Sequence, residues 1–432
     1  MALLPENHPE RFILAEEVHA RPPEPLQSPV RATYLAVLID PDDRARERAH
    51  LTQLCERFGV SGPPAGATHL STRLGPLRLK WERHGEFSGY TFFSSGASGE
   101  PFTQHASDPL PAGWLAAIPG ATIAGSHAEL RPADDQPTDA AAIATFFDGN
   151  HPVGSELADG AGLVFTDFRI HEDGCGRFLI FDRRFSPQQA GRLVQRLFEI
   201  EAYRMLALLA LPIARRQSPR IVVIEKSLAE LTDGIAKGGG DDEALLHELT
   251  RLAAEVESGL AASQFRFGAC RAYHDLVRSR IDELRERRIE GYQTIDEFMS
   301  RRFAPAVATC ANVSQRLHDL SERVAQASAL LSTRVDIARE RQNQALLSSM
   351  DRRAKLQLRL QQTVEGLSVA AIIYYVAGVI GYLAKAAKAA GAPVDPDLII
   401  GGLIPVLAVV VILAVRRARR RIMVGDSQAP SP

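Results

Sequence analysis

Two apolar runs near the C-terminus constrain this chain more than anything else in it. Residues 364–383 read VEGLSVAAIIYYVAGVIGYL, and residues 398–415 read LIIGGLIPVLAVVVILAV. At ~1.5 Å per residue, helices of this length cross the roughly 30 Å of hydrocarbon in a bilayer. Arg352, Arg353, Lys355 and Arg359 precede the first run, and Arg416, Arg417, Arg419, Arg420 and Arg421 follow the second. The turn between them carries only Lys385 and Lys388, opposed by Asp395 and Asp397. Lys and Arg are retained on the cytoplasmic side, so this asymmetry predicts a two-pass hairpin with both termini cytoplasmic and the turn outside. The alternative is a pair of helices buried in a soluble core.

Everything before the hairpin is soluble in character. The start, MALLPENHPERF, lacks the apolar stretch of a signal peptide, so export of the large N-terminal part is not expected. A formal net charge of -2 gives no sign of a nucleic-acid partner. The basic cluster beside the second run suits membrane lipid with anionic headgroups. Cys55, Cys175, Cys270 and Cys310 make no CxxC or CxxxC pair, which points to reduced thiols rather than a disulfide scaffold or a structural zinc site. No cofactor and no metal ligand set is indicated.

Pro22, Pro23, Pro25 and Pro29 favour an extended N-terminal arm over residues 1–29. Residues 30–236 then read as a mixed α/β cytoplasmic domain. Strands are expected at 32–39, 77–84, 89–95 and 121–130, with a helix at 42–58, a short helix or turn around Trp114, and a solvated loop at 131–139. Residues 163–170 and 177–182 form a predicted hairpin around HEDGCG. Ser186 followed by Pro187 marks a helix start, with Pro212 as its stop and a further helix at 221–235. A flexible linker follows at 237–243, and residues 244–363 read as a long helical, coiled-coil-like stalk. Within it one helix is expected over about 243–289, broken near Gly291, and another from about Pro305 into the first apolar run. Leu317, Leu320, Val324, Ala327 and Leu331 show heptad spacing, extended weakly by Ala338 and Ala345. That seam is filled either within one subunit or between subunits. The membrane part comprises helices at 364–383 and 398–415, an external turn at 384–397 and a basic cytoplasmic tail at 416–432.

The densest reactive set is KWERHGE. On a strand, Lys80, Glu82, His84 and Glu86 share one face by the period of two, which gives Glu82, His84 and Glu86 as candidates for general-base or metal chemistry. The plainer reading is a polar outer face, or a charged contact to the arm at His19 and Arg21. His69, His105, His127, His151 and His171 are scattered, and Asp167, His171 and Asp173 can meet near the hairpin turn. The glycines of residues 154–162 lack phosphate-loop spacing and read as an ordinary loop, and Ser126 and Ser155 are in no nucleophile elbow. In the apolar runs, Glu365 either snorkels toward Arg359 or rings the mouth of an oligomeric pore. Gly366, Gly378, Gly381, Gly401 and Gly402 allow close helix contact, and Tyr374 and Tyr375 lie too deep to be ordinary interface anchors.

Several long segments carry a resemblance. HARPPEPL at 19–26, KWERHGEFSGYTF at 80–92, the stretch 177–212 and above all RVDIARERQNQALLSSMDRRAKLQLRLQQTVEGLSVAAIIYYV at 334–376 resemble the bacterial membrane-anchored proteins of domain of unknown function 3422. The resemblance spans nearly the whole chain, implies a bacterial inner (cytoplasmic) membrane location, and brings no activity with it. In layout alone the chain also resembles CorA-type cation channels. Their Gly-Met-Asn sequence after the first membrane helix is absent, since Gly381, Tyr382 and Leu383 lead into AKAAKAAG. Three functions follow as expectations. The first is a membrane-anchored oligomeric scaffold or regulatory protein with a cytoplasmic partner. The second is an oligomeric ion channel or transporter, and the third an enzyme with its site near His84.

Overall fold

The strand expected at residues 32–39 is an inner strand of a nine-stranded sheet. The computed structural model describes residues 5–12, 14–15, 22–135, 140–237, 241–391, 393 and 395–425. They fall into two units, one up to Ala329 and one from Leu330. The strands are β1 (Val30–Leu38), β2 (His69–Leu74), β3 (Leu77–Arg83), β4 (Phe87–Ser95), β5 (Ala121–Pro132), β6 (Val153–Leu157), β7 (Gly162–Thr166), β8 (Gly176–Asp182) and β9 (Arg287–Arg288). Their order is β2-β3-β4-β1-β5-β8-β7-β6-β9. Two antiparallel halves are joined by one parallel pair, β5 with β8.

Register decides what each face carries. Leu35, Tyr90 and Trp81 lie opposite one another across β1, β4 and β3, and so do Tyr34, Thr91 and Lys80. Opposite residues share a face and successive ones alternate, so the two trios lie on different sides of the sheet. The face of Trp81 is covered by α1 (Arg44–Arg57) and the segment around Trp114, with Leu51, Leu54, Cys55 and Ile118 packed against Leu77, Leu79 and Phe92. Farther along that face, Phe102 and the Ile143 and Phe147 region of α2 (Ala140–Thr145) cover Leu163, Phe165, Leu179 and Phe181. Each fully buried side chain of this size contributes roughly 1.5–3 kcal/mol. Glu47 of α1 is buried among them and accepts from Trp81 Nε1 and Tyr90 Oη, both at 2.9 Å.

The face of Tyr34 is covered by α3 (Pro187–Leu208). Its start follows the sequence expectation, with Ser186 and Gln189 forming a reciprocal capping box and Pro187 in the first turn. Phe198 stacks on Tyr34 with ring centroids 5.1 Å apart. Gly191 is required where the arm crosses this helix, because a Cβ there would stand 1.8 Å from the Glu24 carbonyl oxygen.

The remaining helices are α4 (Leu211–Lys237), α5 (Asp242–Leu284), α6 (Ile295–Arg302), α7 (Ala304–Ala389) and α8 (Pro396–Gly425). Pro212 does not stop α3. That helix ends at Leu208, and Pro212 occupies the first turn of α4, where a missing N–H costs nothing. The helix expected at 221–235 is the later part of α4, which continues through Pro219. α5 ends at Leu284, earlier than expected, with Arg285 in the left-handed region at φ 48°. Leu317, Leu320, Val324 and Ala327 are buried within the chain. Arg316 forms a two-pronged ion pair with Glu225 of α4, and Ser321 Oγ donates to Glu257 of α5 at 2.7 Å. The heptad face of this part of α7 is therefore filled in cis, whereas Ala338 and Ala345 are exposed.

Residues 154–162 are not an ordinary loop: they hold most of β6 and a tight turn in which Ala158, Asp159 and Gly160 all have positive φ. The strand expected to reach residue 170 ends at Thr166, because Phe168 turns the backbone at φ 53°. β2, α2, β9 and α6 were not expected. All four cysteines are buried thiols.

Candidate functional site

The KWERHGE set is built on β3 and the turn after it. Lys80 points under α3 and is buried, with Nζ 3.0 Å from Glu82 Oε1 and 3.2 Å from Gln195 Oε1. Gln195 passes the chain of contacts to Glu199 at 2.7 Å, and Glu199 pairs with Arg280 of α5. His84 lies past the end of β3 and stacks on Phe87 at 4.3 Å. Glu86 turns elsewhere, accepting from Arg266 Nη2 and Tyr273 Oη, both at 2.8 Å. Burial and then Glu86 push the Tyr273 phenol above its usual range. This set is thus no outer strand face. α3 covers it, and Glu82 and Glu86 are each held by a separate cation rather than converging on one point. The arm does approach the strand, through Glu24, which pairs with Arg78 at 3.1 Å. His19 and Arg21 lie outside the described residues.

A second cluster occupies the other face. His127 on β5 lies opposite Thr33 of β1, with Nδ1 3.0 Å from Thr33 Oγ1. His105 comes from the segment after β4 and stacks on His127, centroids 3.8 Å apart and planes 16° from parallel. Asp173, in the turn between β7 and β8, brings Oδ2 to 3.7 Å from His105 Nε2 and 3.8 Å from His127 Nε2. Its Oδ1 accepts from the Cys175 N–H at 2.9 Å. His105 is anchored by its own N–H donating to Asp108 Oδ2 at 2.7 Å, while Asp108 Oδ1 lies 3.6 Å from His105 Nδ1. The segment is tied down by Glu129, buried two residues beyond His127, which accepts from Ser98 N, Ser98 Oγ and Phe102 N at 2.9–3.0 Å. Burial first, and the His105 ring second, depress the His127 imidazolium to a pKa of about 3, so His127 is a neutral imidazole.

The expected grouping of Asp167, His171 and Asp173 divides. His171 is clamped between Asp148 Oδ2 at 2.6 Å and Asp167 Oδ2 at 3.2 Å, and its hydrogen bond pulls the exposed Asp148 carboxyl below the usual range. Asp173 faces the other two histidines. Sequence reasoning left His105 and His127 among scattered histidines, because three distant segments supply the cluster. The one local signal was HEDGCG, whose Asp173 places a carboxylate at a turn tip beside β5.

In the second unit, the contact between α7 and α8 is made by small residues. Ala377, Gly381 and Ala384 are buried, and a Cβ at Gly381 would stand 2.7 Å from Ile400 Cδ1. A Cβ at Gly366, Gly378, Gly401 or Gly402 would meet no atom within 4 Å. Tyr374 and Tyr375 are exposed, edge-on to one another at 5.8 Å, and line a groove with Tyr382 and Lys385. Glu365 is half-buried, and Arg352, Arg353, Arg359 and Arg417 are exposed. The side chains of Arg416, Arg419, Arg420 and Arg421 lie outside the described residues. Both helices have a stretch long and apolar enough to cross a membrane.

Compared with known proteins, residues 6–422 match a family profile described as "Protein of unknown function (DUF3422)". A search of curated proteins found no match.

Proposed function

The chain belongs to the DUF3422 family, whose description assigns no activity, and on that premise we propose that it is a two-pass membrane-anchored scaffold or regulatory protein of the bacterial inner membrane. It would present its sheet domain to a protein partner in the cytoplasm. One observation carries the reading. Val364, Leu367, Val379 and Leu383 of α7, with Leu398, Val406, Val409, Val410 and Leu413 of α8, are all exposed. An apolar surface of that extent is unstable in water and stable in hydrocarbon, and the basic residues at the outer ends of both segments favour termini inside. The four glycines with open space at Cβ support close packing between copies of the hairpin, hence a homo-oligomer. Among the described residues, those lining the groove of Tyr375, Tyr382 and Lys385 include no carboxylate for a cation, so permeation stands behind anchoring.

The test uses a single added thiol. Because the native cysteines are buried, Ala390→Cys in the turn should be the residue that reacts with a membrane-impermeant maleimide. Labelling in spheroplasts from outside, together with retention of the protein in membranes washed at alkaline pH, is the expected result. Release by the wash, or labelling only after lysis, would overturn the anchor or its orientation.

A further inference from the structure

Metal-binding histidines are recognised less by the ligating nitrogen than by what holds the other one. In metal sites the non-ligating N–H donates to a carboxylate, carbonyl or similar acceptor, which fixes the tautomer and turns the lone pair inward. The cluster on this face of β5 has the arrangement in part, with a hydrogen-bond contact at His127 and, at His105, a carboxylate near the non-ligating nitrogen but beyond hydrogen-bond range. His127 Nδ1 is held by Thr33 Oγ1 at 3.0 Å. His105 Nδ1 faces the Asp108 carboxylate at 3.6 Å. Asp173 Oδ1 is occupied by the Cys175 N–H, which leaves Oδ2 aimed at both histidines. Among the described residues, none of the three inward atoms makes a hydrogen bond. His105 Nε2 is buried and has no hydrogen-bond partner among the described residues, although such an atom costs stability when left unmatched.

We propose that His105 Nε2, His127 Nε2 and Asp173 Oδ2 form a binding site for one divalent first-row transition metal, such as Zn²⁺ or Fe²⁺. The donor set is two imidazoles and one carboxylate, which suits these ions rather than Mg²⁺ or Ca²⁺, whose preference is for oxygen. One donor atom from each residue can be chosen so that all lie within 4.8 Å of one another. Bonds of about 2.0–2.2 Å put tetrahedral ligand atoms roughly 3.3–3.5 Å apart, so the 3.7 and 3.8 Å separations need to close by a few tenths of an ångström. The rings must also splay. Two imidazoles stacked 16° from parallel cannot both aim a lone pair at one point. His105 is the ring that has to turn about its side-chain torsions, because its hydrogen bond to Asp108 is made by the backbone N–H, whereas His127 is fixed in β5. Three protein ligands leave at least one coordination position open, the pattern of sites that bind or activate a small molecule rather than brace a fold.

The experiment takes the full chain in detergent, stripped with a chelator, and titrates it with Zn²⁺ in competition with a chromophoric chelator. Co²⁺ absorption in the visible reads the ligand set directly. One equivalent of Zn²⁺ is expected. Asp108→Asn should weaken binding about 10–100-fold, as loss of an orienting carboxylate does, with His105→Ala and Asp173→Asn weakening it further and changing the Co²⁺ spectrum. His105 and Asp173 lie outside the sheet, and tryptophan fluorescence melting verifies that each variant is folded. Failure of the folded wild type to bind Zn²⁺ or Co²⁺ would overturn the site. So would unchanged affinity and spectrum in the His105→Ala, Asp173→Asn double variant, which would place the metal on other histidines.

Discussion

The sheet carries a polar cluster on each face, and the two are built in opposite ways. Under α3 and α5, Lys80 is matched by Glu82 and Gln195, Glu199 by Arg280, and Glu86 by Arg266 and Tyr273. Opposite charges there are in contact, so the network is closed and its removal is a matter of stability. On the other face, His105, His127 and Asp173 approach one another without hydrogen bonding, and among the described residues their hydrogen bonds are directed outward to neighbours. Polar groups gathered and left unmatched are costly to a fold that does not use them. The difference separates a network that braces the protein from one arranged around something else.

The largest expected effect breaks the closed network. Glu82→Ala strands the Lys80 ammonium under α3 with Gln195 as its remaining partner, and should cost about 3 kcal/mol, the range for one-sided loss of a buried ion pair. Trp81 and Trp114, the two tryptophans, both lie in this part of the protein, so a fluorescence melt reports it. A melting point equal to wild type would show that the network contributes nothing. Next in size is Glu129→Ala, which leaves Ser98 N and Phe102 N without their acceptor, takes from Ser98 Oγ the shorter of its two contacts, and should cost about 2 kcal/mol. It should also lower metal affinity, because it frees the segment that presents His105. Loss of stability with unaltered Zn²⁺ affinity would separate the tether from the site.

A paired replacement sharpens the contrast. Lys80→Met with Glu82→Leu removes both charges together, and should return stability to within about 1 kcal/mol of wild type, since an apolar pair of similar volume commonly replaces a buried ion pair without loss. If the double variant were as unstable as Glu82→Ala, then Gln195 and Glu199 would depend on the charges as well.

How much of this was legible in the sequence follows from how local each signal is. Ser186, Pro187 and Gln189 specify a helix start within four residues, and the structure forms that cap. The alternation of β3 put Lys80 and Glu82 on one face, yet it carried no sign that α3, more than a hundred residues later, would cover them. Pro212 reads as a stop or as a first-turn residue with equal right, and only the end of α3 at Leu208 decides. β6 was hidden by its own glycine and those of the turn after it. Gly154 packs against Phe165 and Tyr292 with no room for a Cβ, a requirement set by residues far away in sequence. His105, His127 and Asp173 are separated by 22 and 46 positions, and they meet because β5 pairs with β8 and because Glu129 of β5 holds the segment that carries His105.

The smallest expected effect on stability is the one that decides between the two kinds of cluster. Asp173→Asn keeps an acceptor for the Cys175 N–H and removes a charge whose Oδ2 makes no close contact with either histidine. With chelator present, the melting point should stay within the equivalent of about 0.5 kcal/mol of wild type, the ordinary range for a change that breaks no buried pair. With Zn²⁺ in hundredfold excess over its dissociation constant, wild type should gain about 2.7 kcal/mol by mass action and the variant much less. A metal-independent loss as large as that of Glu82→Ala would instead mean that Asp173 braces the turn between β7 and β8. The two faces would then be variants of one closed design, with the imidazole stack held by its carboxylate rather than waiting for an ion.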